Sequence, residues 1–374
     1  MEKRIVFKFG TNVLRNSEGI LDEGRIKGFA KSIAEIKKSG SDVLVITSGA
    51  VGLGAKALGI DPKDKSKDSL FNKQACASVG QSHLMKFWED AFHEFGIIVG
   101  QILLTEDDFS TRKRYLNLRN TLNRLLECGV IPVINQNDVV STSELSNVCF
   151  SDNDKLSALV ASKLDADLLV ILSDIDGLFD KNPKEHKDAV HIKTVEEITP
   201  EIEALATGAS KGGTGGMITK IQASKVAVNS GAMAVILNGK KEGIIDDFFL
   251  GKDVGTKFLK NNKIMSSKAR WIAYATNIEG GVKINSGAKI ALIENNKSLL
   301  PVGVVEVVGE FQAGDVITIS DEENREFARG VANYSSEEAR KIVGVHSDEI
   351  QSILDKKISD DIISKDNLVI LWAF

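Results

Sequence analysis

The stretch "DVLVITSGAVGLG", residues 42–54, sets the architecture. Val43 to Ile46 is an unbroken apolar run, and the chain passes from it through Thr47, Ser48 and Gly49 into a run of small residues. An apolar run without polar alternation belongs to a strand covered on both faces. A strand that leads through a glycine into a helix is the βα junction of a parallel sheet. Ser48, Gly49 and Ala50 offer a hydroxyl and free backbone N–H groups at a helix start, which suits a carboxylate or a phosphate, although an ordinary N-cap serine reads the same way.

The same alternation runs through the first two-thirds of the chain. "RIVFKFG", "GIIVGQILLT", "GVIPVINQ", "DLLVILSD" and "AMAVILNG" read as further buried strands. Between them lie helical patterns. "GRIKGFAKSIAEIKKSG" places Ile26, Phe29, Ala30 and Ile33 at i, i+3, i+4 and i+7 and stops at Gly40. "LNLRNTLNRLLECG" and "DKLSALVASKLDA" follow the same period. The fold class is therefore α/β, an open and mainly parallel sheet sandwiched by helices.

Polar and glycine-rich residues repeatedly follow the C-terminal ends of these strands: Lys8 to Gly10, Thr47 to Gly49, Asn135 to Asp138, and Ser173 with Asp174. In an open parallel sheet that edge is the ligand edge, because βα loops and the positive ends of helices converge there. Asp138 is a candidate partner for a substrate ammonium and Asn153 a candidate partner for a polar substrate group. Asp152 and Asp154 beside Asn153 read as helix-capping residues. Asp174 is a candidate for orienting a nucleotide or the shell of its magnesium.

"SKGGTGGMITK", residues 210–220, carries four glycines between Gly212 and Gly216. Glycines let backbone N–H groups converge on an anion where a Cβ would hold it off. No Gly-Lys-Ser/Thr follows them, so this is not a P-loop. Lys220 lies in the first turns of the helix that follows, and Lys8 lies near the end of a buried strand, where an ammonium is costly without an anion. Two ammonium groups on one polyphosphate would place positive charge where negative charge develops in phosphoryl transfer. A substrate carboxylate is already ionised at neutral pH and needs no general base.

Composition sets bounds. The chain has 374 residues, 43% apolar and 26% charged, with a formal net charge of −5, which fits a globular protein of two domains and argues against a wholesale nucleic-acid binder. Cys76, Cys128 and Cys149 have unrelated spacings, so reduced thiols in a cytoplasmic protein are expected. The five histidines do not cluster, no secretory h-region opens the chain, and no apolar run spans a membrane. Beyond about residue 275 the chain reads as short β segments with turn chemistry at "ENNKS" and "DEEN", a small β-rich second domain.

In this order, "KFGTNVL", "VITSGAVGLG", "INQNDVV", "DNDKLSALVA", "LSDIDGLF" and "GTGGMITK" resemble the amino-acid kinase family. "INSGAKIAL", "SLLPVGVVEVVGEF", "GDVITI" and "ARGVANYSSEEARKIVG" resemble a PUA domain, so the resemblance covers nearly the whole chain. It implies a kinase domain at 1–256, a basic connector at 257–275 and a PUA-like domain at 276–374. Within the family the resemblance is to members that use ATP to phosphorylate the γ-carboxylate of L-glutamate, the first step of proline biosynthesis. By resemblance Lys8 and Lys220 would be catalytic, stabilising the transferring phosphoryl group. Ser48, Asp138 and Asn153 would bind glutamate. Lys8, Ser173, Asp174 and the run Thr214, Gly215, Gly216, Met217, Ile218, Thr219 and Lys220 would bind ATP, with Mg²⁺ as its companion and no metal ligand assigned. Ser151 stands where the family usually has glycine, and Gln136 where an acid is common. The resemblance also implies a homo-oligomer and inhibition by proline near the glutamate site. Because an acyl phosphate is labile to water, it further suggests hand-off of the product to the next enzyme.

Other readings stay open at this point. One is a kinase of aspartate, acetylglutamate or a nucleoside monophosphate on the same fold. Another is an RNA-binding protein acting through the PUA-like domain, against which ten basic and seventeen acidic side chains from residue 276 onward weigh. A third is a silent amino-acid sensor, disfavoured by the two lysines and the glycine loop.

Overall fold

The computed structural model describes residues 3–61, 69–105, 107–110, 112–140, 153–207, 216–261, 264–274, 278–355 and 357–371. The chain divides into two compact units, Met1–Ile264 and Met265–Phe374. Among the described residues no helix is long and apolar enough to cross a membrane.

In the first unit an eight-stranded sheet is built from β1 (Arg4–Phe9), β2 (Asp42–Ile46), β3 (Val99–Leu104), β4 (Ile131–Gln136), β5 (Leu168–Ser173), β8 (Thr194–Val195), β9 (Met233–Asn238) and β10 (Thr256–Phe258). A separate antiparallel pair, β6 (Leu178–Phe179) and β7 (His191–Ile192), follows β5. The sheet order is β3-β4-β2-β1-β5-β9-β10-β8, and every pairing is parallel except β9 with β10. The expected apolar runs are these strands, and all six residues of β5 are buried.

The helices are α1 (Glu23–Lys38), α2 (Ala50–Leu58), α3 (Ser69–His93), α4 (Asp107–Ser110), α5 (Arg112–Glu127), α6 (Asn153–Lys163), α7 (Pro200–Thr207), α8 (Met217–Asn229) and α9 (Ile244–Phe249). α1 starts where Asp22 accepts from the Arg25 N–H at 3.0 Å and ends before Gly40 at φ +96°. Its buried face includes Ile26, Phe29, Ala30 and Ile33, as the spacing predicts. α1, α3 and α9 cover one face of the sheet, where Phe9 packs against Phe29 and Trp88 with ring centroids 4.9 and 5.2 Å apart. Successive side chains of a strand point to opposite faces. Lys8 therefore points away from this aromatic core, into the layer where α6 and α8 pack on the sheet.

α2 is held against α3 by glycines. A Cβ on Gly54 would stand 1.8 Å from the Cys76 carbonyl oxygen, and one on Gly80 would stand 1.8 Å from that of Ala50. Only glycine lets the two backbones approach so closely.

The second unit carries a five-stranded sheet in the order β12-β11-β13-β14-β15, from β11 (Gly280–Ile284), β12 (Val304–Gly309), β13 (Val316–Ser320), β14 (Glu326–Val331) and β15 (Leu368–Ile370). α10 (Ser267–Ala273) packs on β14 and β15, and α11 (Ser286–Ile293), α12 (Ser336–Ile342) and α13 (Ile350–Leu354) complete the unit. The stretch 257–275, expected as a connector, contributes β10 residues to the first sheet and α10 to the second unit. "DEEN" is the hairpin turn between β13 and β14, with Asn324 at φ +62°. "ENNKS" instead lies at the end of α11: Asn285 caps that helix, so "SGAKIALI" is helical rather than β.

Candidate active site

The strand order places β1 between β2 and β5: β2 to β4 lie on one side of β1, and from β5 onward the chain builds the other side, so the winding reverses at β1. The crevice at such a reversal, outside the carboxyl ends of the strands, is where open α/β sheets bind ligands. Lys8 pairs in register with Ile46 of β2 and Ile171 of β5, and Ser173 with Asn238 of β9. The polar strand tips singled out in the sequence thus lie along one edge.

At the centre of that edge is a buried ion-pair cluster. Lys8 Nζ lies 2.5 Å from Asp154 Oδ1, and Lys220 Nζ lies 3.0 Å from Asp154 Oδ2. Asp154 is fully buried, and the two lysines are 5% and 6% exposed. Thr219 Oγ1 lies 2.9 Å from both Asp154 Oδ2 and the Gly216 carbonyl oxygen. Burial alone would push the Asp154 carboxyl up. Its pairing with Lys8 and then Lys220 outweighs burial and brings it down from 3.8 to about 2. Two ammonium groups on one carboxylate leave a net positive charge in a water-poor crevice, which is the requirement for holding an additional anion.

Asp154 is the residue whose role the sequence reading missed. It stands in the first turn of α6, where an acid reads as a helix-dipole partner. The available signal was the pair of lysines: two ammonium groups at buried positions need a buried counter-charge.

α8 begins at Gly216, which has φ −74° and no side chain to cap the first turn. α2 likewise begins at Gly49, at φ +108°, without a side-chain cap. Among the described residues neither first turn receives a side-chain cap from its N-cap residue, the arrangement in which helix N–H groups serve an anion. Met217, Ile218, Thr219 and Lys220 form the first turn of α8. Thr214 and Gly215, with Ser151 and Asp152, lie outside the described residues.

On the other side of Lys8, Ser48 and Asn153 come together. Asn153 Nδ2 shares its two protons among three acceptors, the Thr47 carbonyl at 2.9 Å, Ser48 Oγ at 3.1 Å and Asn135 Oδ1 at 3.2 Å. Ser48 Oγ donates to the Phe9 carbonyl at 2.8 Å, tying the tip of β2 to that of β1. Asp138 is partly exposed in the turn after β4. Ser173 ends β5 and is buried, and Asp174 accepts from Asn12 Nδ2 at 3.0 Å. Burial raises the Asp174 carboxyl, but the Asn12 hydrogen bond leads a set of contacts that lower it overall, so it is ionised at neutral pH. Asp176 accepts from Asn238 at 3.1 Å and pairs with Lys241 at 2.5 Å, which joins the loop after β5 to the loop after β9. Among the described residues no three His, Cys, Asp or Glu side chains gather as a metal site.

The chain belongs to the amino acid kinase family, whose family model matches residues 3–238, and a PUA domain model matches residues 280–354. Its relatives narrow the class. A glutamate 5-kinase of Caldanaerobacter subterraneus subsp. tengcongensis is 46% identical over 369 residues, 98% of this chain and 98% of that one. A glutamate 5-kinase of Thermoanaerobacter sp. is 44% identical over the same shares, and one of Methanosarcina barkeri is 46% identical over 98% of this chain and 96% of that one.

Proposed function

We propose that the protein transfers the terminal phosphoryl group of MgATP to the side-chain carboxylate of L-glutamate, giving ADP and L-glutamyl 5-phosphate, the first step of proline biosynthesis. The observation that carries the reading is the meeting of Lys8 and Lys220 on one buried carboxylate at the sheet's switch point. Relatives named for this activity, similar over nearly the full chain, support it.

In this reading a glutamate γ-carboxylate oxygen attacks the terminal phosphorus, a new P–O bond forms, and the bond to the β,γ-bridging oxygen breaks. No proton moves, because the nucleophile is already ionised. Catalysis rests on alignment and on neutralising charge spread over the transferring oxygens. Lys8 and Lys220 are assigned that neutralisation, and Asp154 holds their ammonium groups in place. Ser48, Asp138 and Asn153 are assigned to glutamate. Ser173, Asp174 and the run Thr214 to Lys220 are assigned to ATP. Magnesium is proposed to arrive with the nucleotide and to be held largely by its phosphates and water, as is common for this ion.

Proline inhibition near the glutamate site, a homo-oligomeric state, hand-off of the labile acyl phosphate and a cytoplasmic location are proposed on the family resemblance. The RNA-binding alternative is not favoured. The test is ADP release with glutamate, aspartate, N-acetylglutamate and UMP side by side, with the acyl phosphate trapped by hydroxylamine. Glutamate-dependent ADP release with a matching hydroxamate is expected. Preference for another acceptor removes the assignment.

A further inference from the structure

α3 reaches the ligand edge through Gln81 and Trp88, seven positions apart and so on one helical face. Trp88 Nε1 donates to Thr47 Oγ1 at 2.8 Å and holds the tip of β2. Gln81 holds the tip of β4: its Oε1 accepts from Asn135 Nδ2 at 2.9 Å, and both residues are buried. Asn135 Oδ1 accepts in turn from Asn153 Nδ2. Three side-chain amides thus form a relay from α3 to the first residue of α6.

The polarity of this relay is dictated by its surroundings. The Thr47 carbonyl beside Asn153 can only accept, and Ser48 has committed its proton to the Phe9 carbonyl. Turning the Asn153 amide over would set its oxygen against both lone-pair sources in a poorly hydrated site. With Asn153 fixed, Asn135 must present its oxygen to it and its nitrogen to Gln81, which must answer with oxygen. The relay then ends in two buried atoms without a partner among the described residues, the acceptor Asn153 Oδ1 and the donor Gln81 Nε2. Buried polar atoms are nearly always paired, so an unsatisfied acceptor beside the strand tips calls for a donor, which a bound ligand supplies.

We propose that Gln81 is a positioning residue for the amino-acid substrate: it anchors Asn135, whose oxygen helps seat the Asn153 amide that the Thr47 carbonyl and Ser48 Oγ orient, so that the unpaired Asn153 Oδ1 is placed to accept from the α-ammonium of a free amino acid. This rests on the reading of the site as a glutamate kinase. It makes Gln81, outside every motif quoted above, a determinant of how the site reads the amino group.

The test compares full-length wild type with Gln81→Met, which removes the acceptor at similar length, and Gln81→Glu, which keeps an oxygen toward Asn135. Gln81→Leu replaces the Met variant if that one fails in thermal melting. The expected result is a rise of about tenfold in the KM for glutamate in the Met variant, with the KM for ATP within about twofold. Gln81→Glu should stay within about threefold of wild type for glutamate. The inhibition constant of glutarate, which lacks the amino group, should be nearly the same in all three. Parallel loss with glutamate and ATP, equal loss in Met and Glu variants, or a matching loss of glutarate binding each overturns the relay while leaving the kinase reading intact. A wild type without glutamate-dependent ADP release overturns the kinase reading and this inference with it.

Discussion

The ammonium of Lys8, on the central strand of the large sheet, lies 2.5 Å from the carboxylate of Asp154, which has no solvent exposure. Lys220 shares that carboxylate from α8. Two cations on one buried anion make an arrangement that is satisfied at rest and still positive enough to take a phosphate.

Replacing Lys220 with Ala removes one of two charges facing the proposed phosphoryl group. Turnover should fall by about 10²- to 10³-fold, the scale seen when one preorganised donor is removed from a transition state. Far-ultraviolet circular dichroism should be unchanged, and ADP release under saturating substrates reads the loss.

Asp154→Asn leaves two buried ammonium groups without their counter-charge. Breaking a buried ion pair by removing one partner costs about 3–5 kcal/mol, so the urea midpoint should drop clearly at neutral pH. The pH dependence has a defined sign. The folded carboxyl lies at about 2, below its ordinary 3.8, so its stabilisation is present above about pH 4 and is lost as pH falls toward 2. The gap in urea midpoint between wild type and Asp154→Asn should narrow over that window, and a gap that stays constant removes the ion pair from the account.

Asp138→Ala should raise the KM for glutamate well above that for ATP, by about tenfold against less than about threefold. Initial rates with each substrate varied in turn decide this, and equal effects would take Asp138 off the amino-acid side.

Gly54→Ala and Gly80→Ala each drive a methyl group into a facing carbonyl oxygen, at 1.8 Å in the unrelaxed backbone. Overpacking of this kind costs about 1–3 kcal/mol or more, visible as a lowered Tm. Because Gly80 faces Ala50, the first residue of the helix after Ser48, its variant should also weaken glutamate binding. A Gly80→Ala protein with native Tm and native glutamate KM would show that α2 and α3 are free to separate.

Much of the fold was legible in residue order. Apolar runs such as Leu168 to Leu172 are strands because a run without polar alternation is stable only when covered on both faces. Ile26, Phe29, Ala30 and Ile33 form a buried helical face because their spacing matches the helical period. α11 was missed because "SGAKIALI" is short, and at that length apolar content does not separate helix from strand. Asp154 was misread for a similar reason, since an acid in a first helical turn has a sufficient local role.

The sequence by itself determined the parallel α/β sheet, the second β-rich unit, and the placement of Lys8, Ser48, Asn153, Ser173 and Lys220 at strand tips or helix starts. Those features follow from local periodicity and turn chemistry, which act over a few residues. Only the tertiary structure decided that Lys8 and Lys220 share one carboxylate, and that Gln81 of α3 connects through Asn135 to Asn153. These are contacts between segments far apart in the chain. Their partners are chosen by strand order and helix packing, and no local pattern carries that information.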